Sequence, residues 1–155
     1  MSAAVELSQN FTLLELTKSQ TAERRGIGND PSAEAIENLK RLAQNILQPV
    51  RDYFGIPFSP SSGYRSPELS LAIGSSINSQ HCSGNAADFE VPGVDNYALG
   101  KWISEKLEFD QLILECYRTG DPHSGWVHAS WVQTYKRQQV LTYALGEGYQ
   151  HGLKR

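Results

Sequence analysis

An α+β fold, with helices packed on a small antiparallel sheet, is what this sequence predicts, on the strength of three observations. Apolar residues recur at three- and four-residue steps over Ile36, Leu39, Ala43, Ile46 and Val50, the period of an amphipathic helix. Two short runs rich in apolar residues, Gln111 to Cys116 and Trp126 to Trp131, flank the turn cluster Thr119-Gly120-Asp121-Pro122, which is the pattern of a strand pair joined by a long loop. Helix signals lead and strand signals follow instead of alternating, which favours α+β over a parallel α/β sheet.

Each element has its own local signal. Thr12 and Glu15 have capping-box spacing, and Phe11 stands where a residue can staple onto the first turn of a helix. Leu13 to Leu16 is a short apolar segment, and Gly26, Gly28 and Asn29 break the chain beyond it. The long helix starts at Asp30 or Ser32, either of which can cap it, and Pro31 suits a first turn. Leu42 and Leu47 widen its apolar stripe, whose expected role is core packing. Pro49 lacks a backbone N–H and is expected to kink or end the regular helix. Ile56 to Ser62 reads as a short strand, and Ser66-Pro67-Glu68 opens a compact helix that Gly74 stops. Residues 75–87, rich in Ser, Asn, Gly and Ala, read as loop. Asp88 to Val91 reads as a strand closed by Pro92-Gly93, and Asp95 or Asn96 caps a helix carrying Leu99, Trp102, Ile103 and Leu107. A last helix is expected over Arg137 to Leu145, stopped by Gly146.

Length and charge bound the function. A chain of 155 residues is expected to form one domain, residues 1–155, and at that size it buries roughly two thirds of the surface it exposes when unfolded. A net charge of −3 counts against a nucleic-acid binder that works by neutralising phosphates. No run of 18 apolar residues exists, so no membrane span is expected. Met1 to Asn10 lacks a basic stretch followed by an apolar block, so cytoplasmic synthesis without a signal peptide is expected. Cys82 and Cys116 alone make no disulfide framework, in keeping with a reducing compartment. A monomer is the expected state.

Three short segments carry the candidate chemistry. They are Ser62-Gly63-Tyr64-Arg65-Ser66, the stretch from Ser79 through His81 to Asp88, and Trp126-Val127-His128. His81 and Asp88 flank the small residues Gly84-Asn85-Ala86-Ala87, which let the backbone fold tightly so that the two ends converge. His128, on a separate strand, can close a His-Asp-His cluster. Two imidazoles and one carboxylate suit zinc with one coordination position left for water, the open arrangement of catalytic rather than structural sites. Spacing alone leaves another reading open, in which His81 is a polar loop residue and Asp88 a strand-end carboxylate.

The combination is more specific. Ser79-x-His81-x-x-Gly84-x-Ala86-x-Asp88, preceded by Ser62-Gly63-Tyr64-Arg65-Ser66 and followed by Trp126-Val127-His128, resembles the zinc D-Ala-D-Ala carboxypeptidase family. That family includes D-alanyl-D-alanine dipeptidases and phage endolysin peptidases, and it shares its fold with the hedgehog signalling domain. The likeness extends to Asn10-Phe11-Thr12-Leu13-x-Glu15-Leu16 and Phe109-Asp110-Gln111-Leu112-Ile113, so it spans roughly residues 8–145. It implies a hedgehog/DD-peptidase-like fold, a Zn2+ ion on His81, Asp88 and His128, and a substrate in the stem peptides of bacterial peptidoglycan. It also implies that Arg65 binds substrate and steadies negative charge, and that Ser79 sits beside the metal and hydrogen-bonds substrate. A guanidinium suits the first role because it is always charged and grips an oxyanion in a fork. The residue-level alternatives are a surface ion pair for Arg65 and a loop cap for Ser79.

The general base departs from part of the family. Some members carry Glu three residues before the last zinc histidine, where this chain has Gly125; others carry His two before it, where this chain has Trp126. Glu115 is the expected base instead, because it ends an apolar strand, lies beside the His128 strand, and shares a face with Gln111 and Ile113 by strand alternation. Asp121 and His123 are the reserves. Cys82 and Cys116 read as packing residues, His151 as a solvated side chain, and Lys136-Arg137 as a solvated helix start. Trp126 and Trp131 can line a substrate groove, but packing in the sheet is the favoured reading. The reading is therefore a zinc metallopeptidase, a carboxypeptidase or endopeptidase of cell-wall degradation, released from the host cell or carried in a virion. Its rivals are a non-catalytic zinc protein that binds cell wall and a structural virion protein.

Overall fold

A computed structural model describes residues 5–154. Residues 1–4, part of the stretch read for a leader, and residue 155 lie outside the described residues. A small hairpin of β1 (Glu6–Ser8) and β2 (Phe11–Thr12) opens the chain. Helix α1 (Leu13–Thr17) follows with the Thr12–Glu15 capping box closed in both directions. Ser19 caps α2 (Gln20–Arg25), and Gly26 ends it in the left-handed region. The long helix α3 (Ala33–Leu42) is capped by Ser32, not Asp30. Pro49 does not end it. A π turn (Ala43–Leu47) widens the backbone just before the proline, and the helix resumes as α4 (Gln48–Phe54) with Pro49 in its first turn, where no N–H is needed. Leu39, Leu42, Ala43, Ile46, Leu47 and Val50 are all fully buried along this stripe.

Ile56 to Ser62 forms no strand. Pro57 and Pro60 cannot donate to a ladder, and only Ser62 bridges to Asp88. Ser66 caps α5 (Pro67–Ala72) as the sequence suggests. The stretch read as loop contains a 3-10 turn (Gln80–Ser83). The next strand, β3 (Ala86–Phe89), starts two residues earlier than the sequence suggested. Asp95 caps α6 (Asn96–Lys106).

The main sheet adds β4 (Gln111–Glu115), β5 (Trp126–Ser130), β6 (Gln139–Ala144) and β7 (Gly148–His151). Its order is β3-β5-β4-β6-β7, and β4 runs parallel to β6 while the other pairs are antiparallel. The fold is α+β as expected, with a mixed rather than wholly antiparallel sheet. The difference comes from the C-terminal segment, expected as a helix over Arg137 to Leu145 and found as a strand. Val140, Thr142 and Tyr143 favour a pleated surface. Leu141 and Thr142 are buried in register with Ile113 and Leu114, and Gly146 and Gly148, both at positive φ, turn the chain into β7.

Alternation gives the sheet two different faces. Ala87, Phe89, Leu112, Leu114, Val127 and Ala129 are fully buried and join the helical stripe, Leu99, Ile103 and Phe109 in one core. The opposite face carries Asp88, Gln111, Ile113, Glu115, Trp126 and His128 toward an open cleft.

Candidate metal centre and its cleft

Strand register brings two of the three candidate ligands together. Asp88 on β3 pairs directly with His128 on β5, so both side chains leave the same face. His81 arrives on the 3-10 turn, which Ser79 caps by accepting from the His81 N–H at 3.2 Å. Gly84 closes this turn at φ 81°, and its missing side chain is needed, since a Cβ would lie 2.5 Å from the Ala35 carbonyl oxygen of α3. The result is a cluster in which one ligand atom from each of His81, Asp88 and His128 lies within 4.8 Å of the others.

The donor atoms are oriented for a cation. His81 Nδ1 sits 2.7 Å from the Gly63 carbonyl oxygen, an acceptor that holds the Nδ1 proton and leaves the Nε2 lone pair free for a cation. Nε2 faces Asp88 Oδ1 at 3.4 Å, and His128 Nδ1 faces the same oxygen at 2.9 Å. Arg65 Nη2 donates to Asp88 Oδ2 at 3.3 Å, and Arg65 Nε to Ser62 Oγ at 3.0 Å. Burial pushes the Asp88 carboxyl up, but hydrogen bonds and charge from His128 and His81 outweigh it and hold Asp88 below the usual carboxylate range. Two imidazole nitrogens and an ionised carboxylate, open on one side, fit zinc with a fourth position free.

Glu115 shares the cleft, which has a volume of about 480 Å³. It pairs with Trp126 across the strands, and Trp126 Nε1 donates to Glu115 Oε2 at 2.7 Å. Burial and the nearby Asp88 charge raise the Glu115 carboxyl above its ordinary value, partly countered by His128, Trp126 and Arg65. The reserves do not reach this place. Asp121 pairs with Arg118 on the hairpin loop, and His123 lines a separate hollow with Phe58 and Glu90. No side chain fits at Gly125, where φ is 66° and a Cβ would lie 2.0 Å from the Glu115 carbonyl oxygen. A carboxylate three residues before His128 is therefore excluded by the backbone itself.

Two parts of the cleft depart from the favoured sequence reading. Trp126 lines it and holds Glu115 rather than only packing in the sheet; its place two residues from His128, on the same face by alternation, was the available signal. Lys136-Arg137 is no solvated helix start. Lys136 Nζ sits 4.3 Å from the centre of the Trp131 ring, and Arg137 lines the cleft. Neither Cys82 nor Cys116 joins the cluster; both are free and half-buried. A larger cavity of about 620 Å³ lies on the far side of Arg65 and touches none of the three candidate ligands.

A trio of two imidazoles and one carboxylate, open to a cleft with a carboxylate of its own, defines a candidate mononuclear metal centre. The family model for Peptidase M15 matches residues 9–130, and the chain belongs to that peptidase family. The matched span contains all three candidate ligands together with Arg65 and Glu115. No curated protein matches the sequence significantly. No helix among the described residues is long and apolar enough to cross a membrane.

Proposed function

We propose that this protein is a zinc peptidase that cleaves peptide bonds in the stem peptides of bacterial peptidoglycan. The observation that carries the proposal is the shared cleft, with His81, Asp88 and His128 on one side and the free carboxylate of Glu115 on the neighbouring row of the sheet. His81 Nε2, Asp88 Oδ1 and His128 Nδ1 would hold the ion. A bound zinc supplies Lewis acidity to the scissile carbonyl and lowers the pKa of water toward roughly 7.

The chain's own residues do the rest. Glu115 takes the proton of the attacking water and returns it to the leaving amine, and its raised carboxyl makes it a stronger proton acceptor than an exposed glutamate. Trp126 occupies one Glu115 oxygen, which leaves the other for water. Arg65 balances the Asp88 charge and steadies the negative oxygen that develops on the substrate. Ser79 holds the His81 turn in place and lines the cleft, where it would meet the substrate.

Zinc-loaded protein incubated with purified peptidoglycan is expected to release new amino groups. Glu115→Gln should lower that rate by about 10²- to 10⁴-fold while one zinc per chain is retained. Zinc retained in a wild-type protein that releases nothing would favour the non-catalytic alternative.

A further inference from the structure

The cleft holds a second guanidinium that the proposed mechanism leaves unused. Arg137 lines the same cavity as the three candidate ligands. Its backbone N–H and its Nε donate to Asp110 Oδ1 at 3.0 and 3.1 Å, and its Nη2 donates to Asp110 Oδ2 at 2.7 Å. Gln80, next to His81 on the 3-10 turn, donates to the same Oδ2 at 2.9 Å. The two partners differ in exposure, with the Asp110 side chain 6% exposed and that of Arg137 48%.

This geometry uses one edge of the guanidinium and leaves the other. Nε and one hydrogen of Nη2 are engaged by Asp110. Nη1 and the second hydrogen of Nη2 form the opposite edge, which has no hydrogen-bond partner among the described residues and is matched in shape to a carboxylate. Arg65 is placed differently: its side chain is only 15% exposed, and it is tied to Ser62 and to the candidate ligand Asp88. Because Asp110 already fixes the Arg137 rotamer, little further ordering is needed when a carboxylate docks.

We infer that Arg137 is the carboxylate-binding group of the cleft, and that the peptide it takes carries a carboxylate docking on the Nη1/Nη2 edge. The inference rests on the reading of the cleft as a peptide site. The Arg137–Asp110 pair is neutral overall, so recognition works through short-range hydrogen bonds and not a long-range field. The preference is accordingly modest, about tenfold.

The test uses metal-free protein, so that nothing is cleaved, and measures Kd by calorimetry for N-acetylated alanine tetrapeptides. One ends in an amide, one in a free carboxylate, and a set ends in an amide with glutamate replacing each alanine in turn. At least one carboxylate-bearing peptide should bind about tenfold more tightly than the neutral amide, and which one does so assigns the group to a chain terminus or a side chain. Arg137→Gln should bring that ratio close to one, and Arg137→Lys should keep part of it, as a point charge without the fork does. Equal affinities in the wild type, or a ratio that survives Arg137→Gln, would overturn the inference even if peptides bind. Failure of every peptide to bind would instead overturn the peptide-cleft reading, and the inference with it. The wild-type ratio and Arg137→Lys keep the test decisive if the glutamine variant folds poorly.

Discussion

Two buried aspartates lie beside one cleft and are held in opposite ways. Asp88 faces two imidazoles whose nitrogens can carry a proton or give a lone pair, and among the described residues Arg65 alone is a permanent side-chain donor to its carboxylate. Asp110 is ringed by permanent donors, three from Arg137 and one from the Gln80 amide. The difference separates a receptor from a clamp. A carboxylate whose neighbours can switch from donor to acceptor can exchange a proton for a cation. One whose oxygens are taken by fixed N–H groups can only hold chain segments together. Glu115 falls between them, with one indole donor and one oxygen uncommitted.

The largest effect expected is on the receptor. Asp88→Asn should weaken zinc binding by more than the roughly 10- to 100-fold that follows loss of a supporting partner, as read by competition with a chelator. If the variant binds zinc as tightly as wild type, the distinction between the two aspartates disappears. Removing the clamp should act on stability instead. Asp110→Ala is expected to cost about 1–2 kcal/mol in urea unfolding, toward the lower end for hydrogen bonds to charged groups because Arg137 is half-exposed. Zinc stoichiometry of that variant should stay at one per chain. Smaller again is Trp126→Phe, which keeps the ring but loses the donor to Glu115. The expected loss is about five- to tenfold in peptidase rate with an unshifted melting temperature, and an unchanged rate would remove Trp126 from the cleft's machinery.

The smallest effect is a pH dependence. Hydrogen bonds from Arg137 hold the Asp110 carboxyl at about 2, below its ordinary 3.8. A depressed folded-state value stabilises the protein above the unfolded value and loses that stabilisation as pH falls through the folded one. The stability gap between wild type and Asp110→Ala should therefore be full above about pH 4 and close between pH 4 and 2. A gap that stays constant over that window would show that the ion pair is not its source.

Helix caps and the ligand trio were legible in the residues because each rests on local chemistry. Thr12, Ser32, Ser66 and Asp95 sit where a side-chain oxygen reaches a free backbone N–H, and His81, Asp88 and His128 stand out by residue type. The parts that were not legible depend on distant partners. Gln139 to Ala144 is a strand because β4 offers it a free edge, and nothing within the segment announces that edge. Arg137 reads as a surface charge until Asp110, 27 positions earlier, is seen to hold it. The cleft-facing position of Glu115 was recoverable because strand alternation is a two-residue rule and the turn cluster at 119–122 announces the hairpin that sets it beside β5.

The bare position at residue 125 ties the bend to the strands it joins. Any side chain there would run into the Glu115 carbonyl oxygen, at the rung where Glu115 faces Trp126 across β4 and β5. The shape of the turn and the floor of the cleft are therefore one mechanical unit, and neither can be altered without disturbing the other.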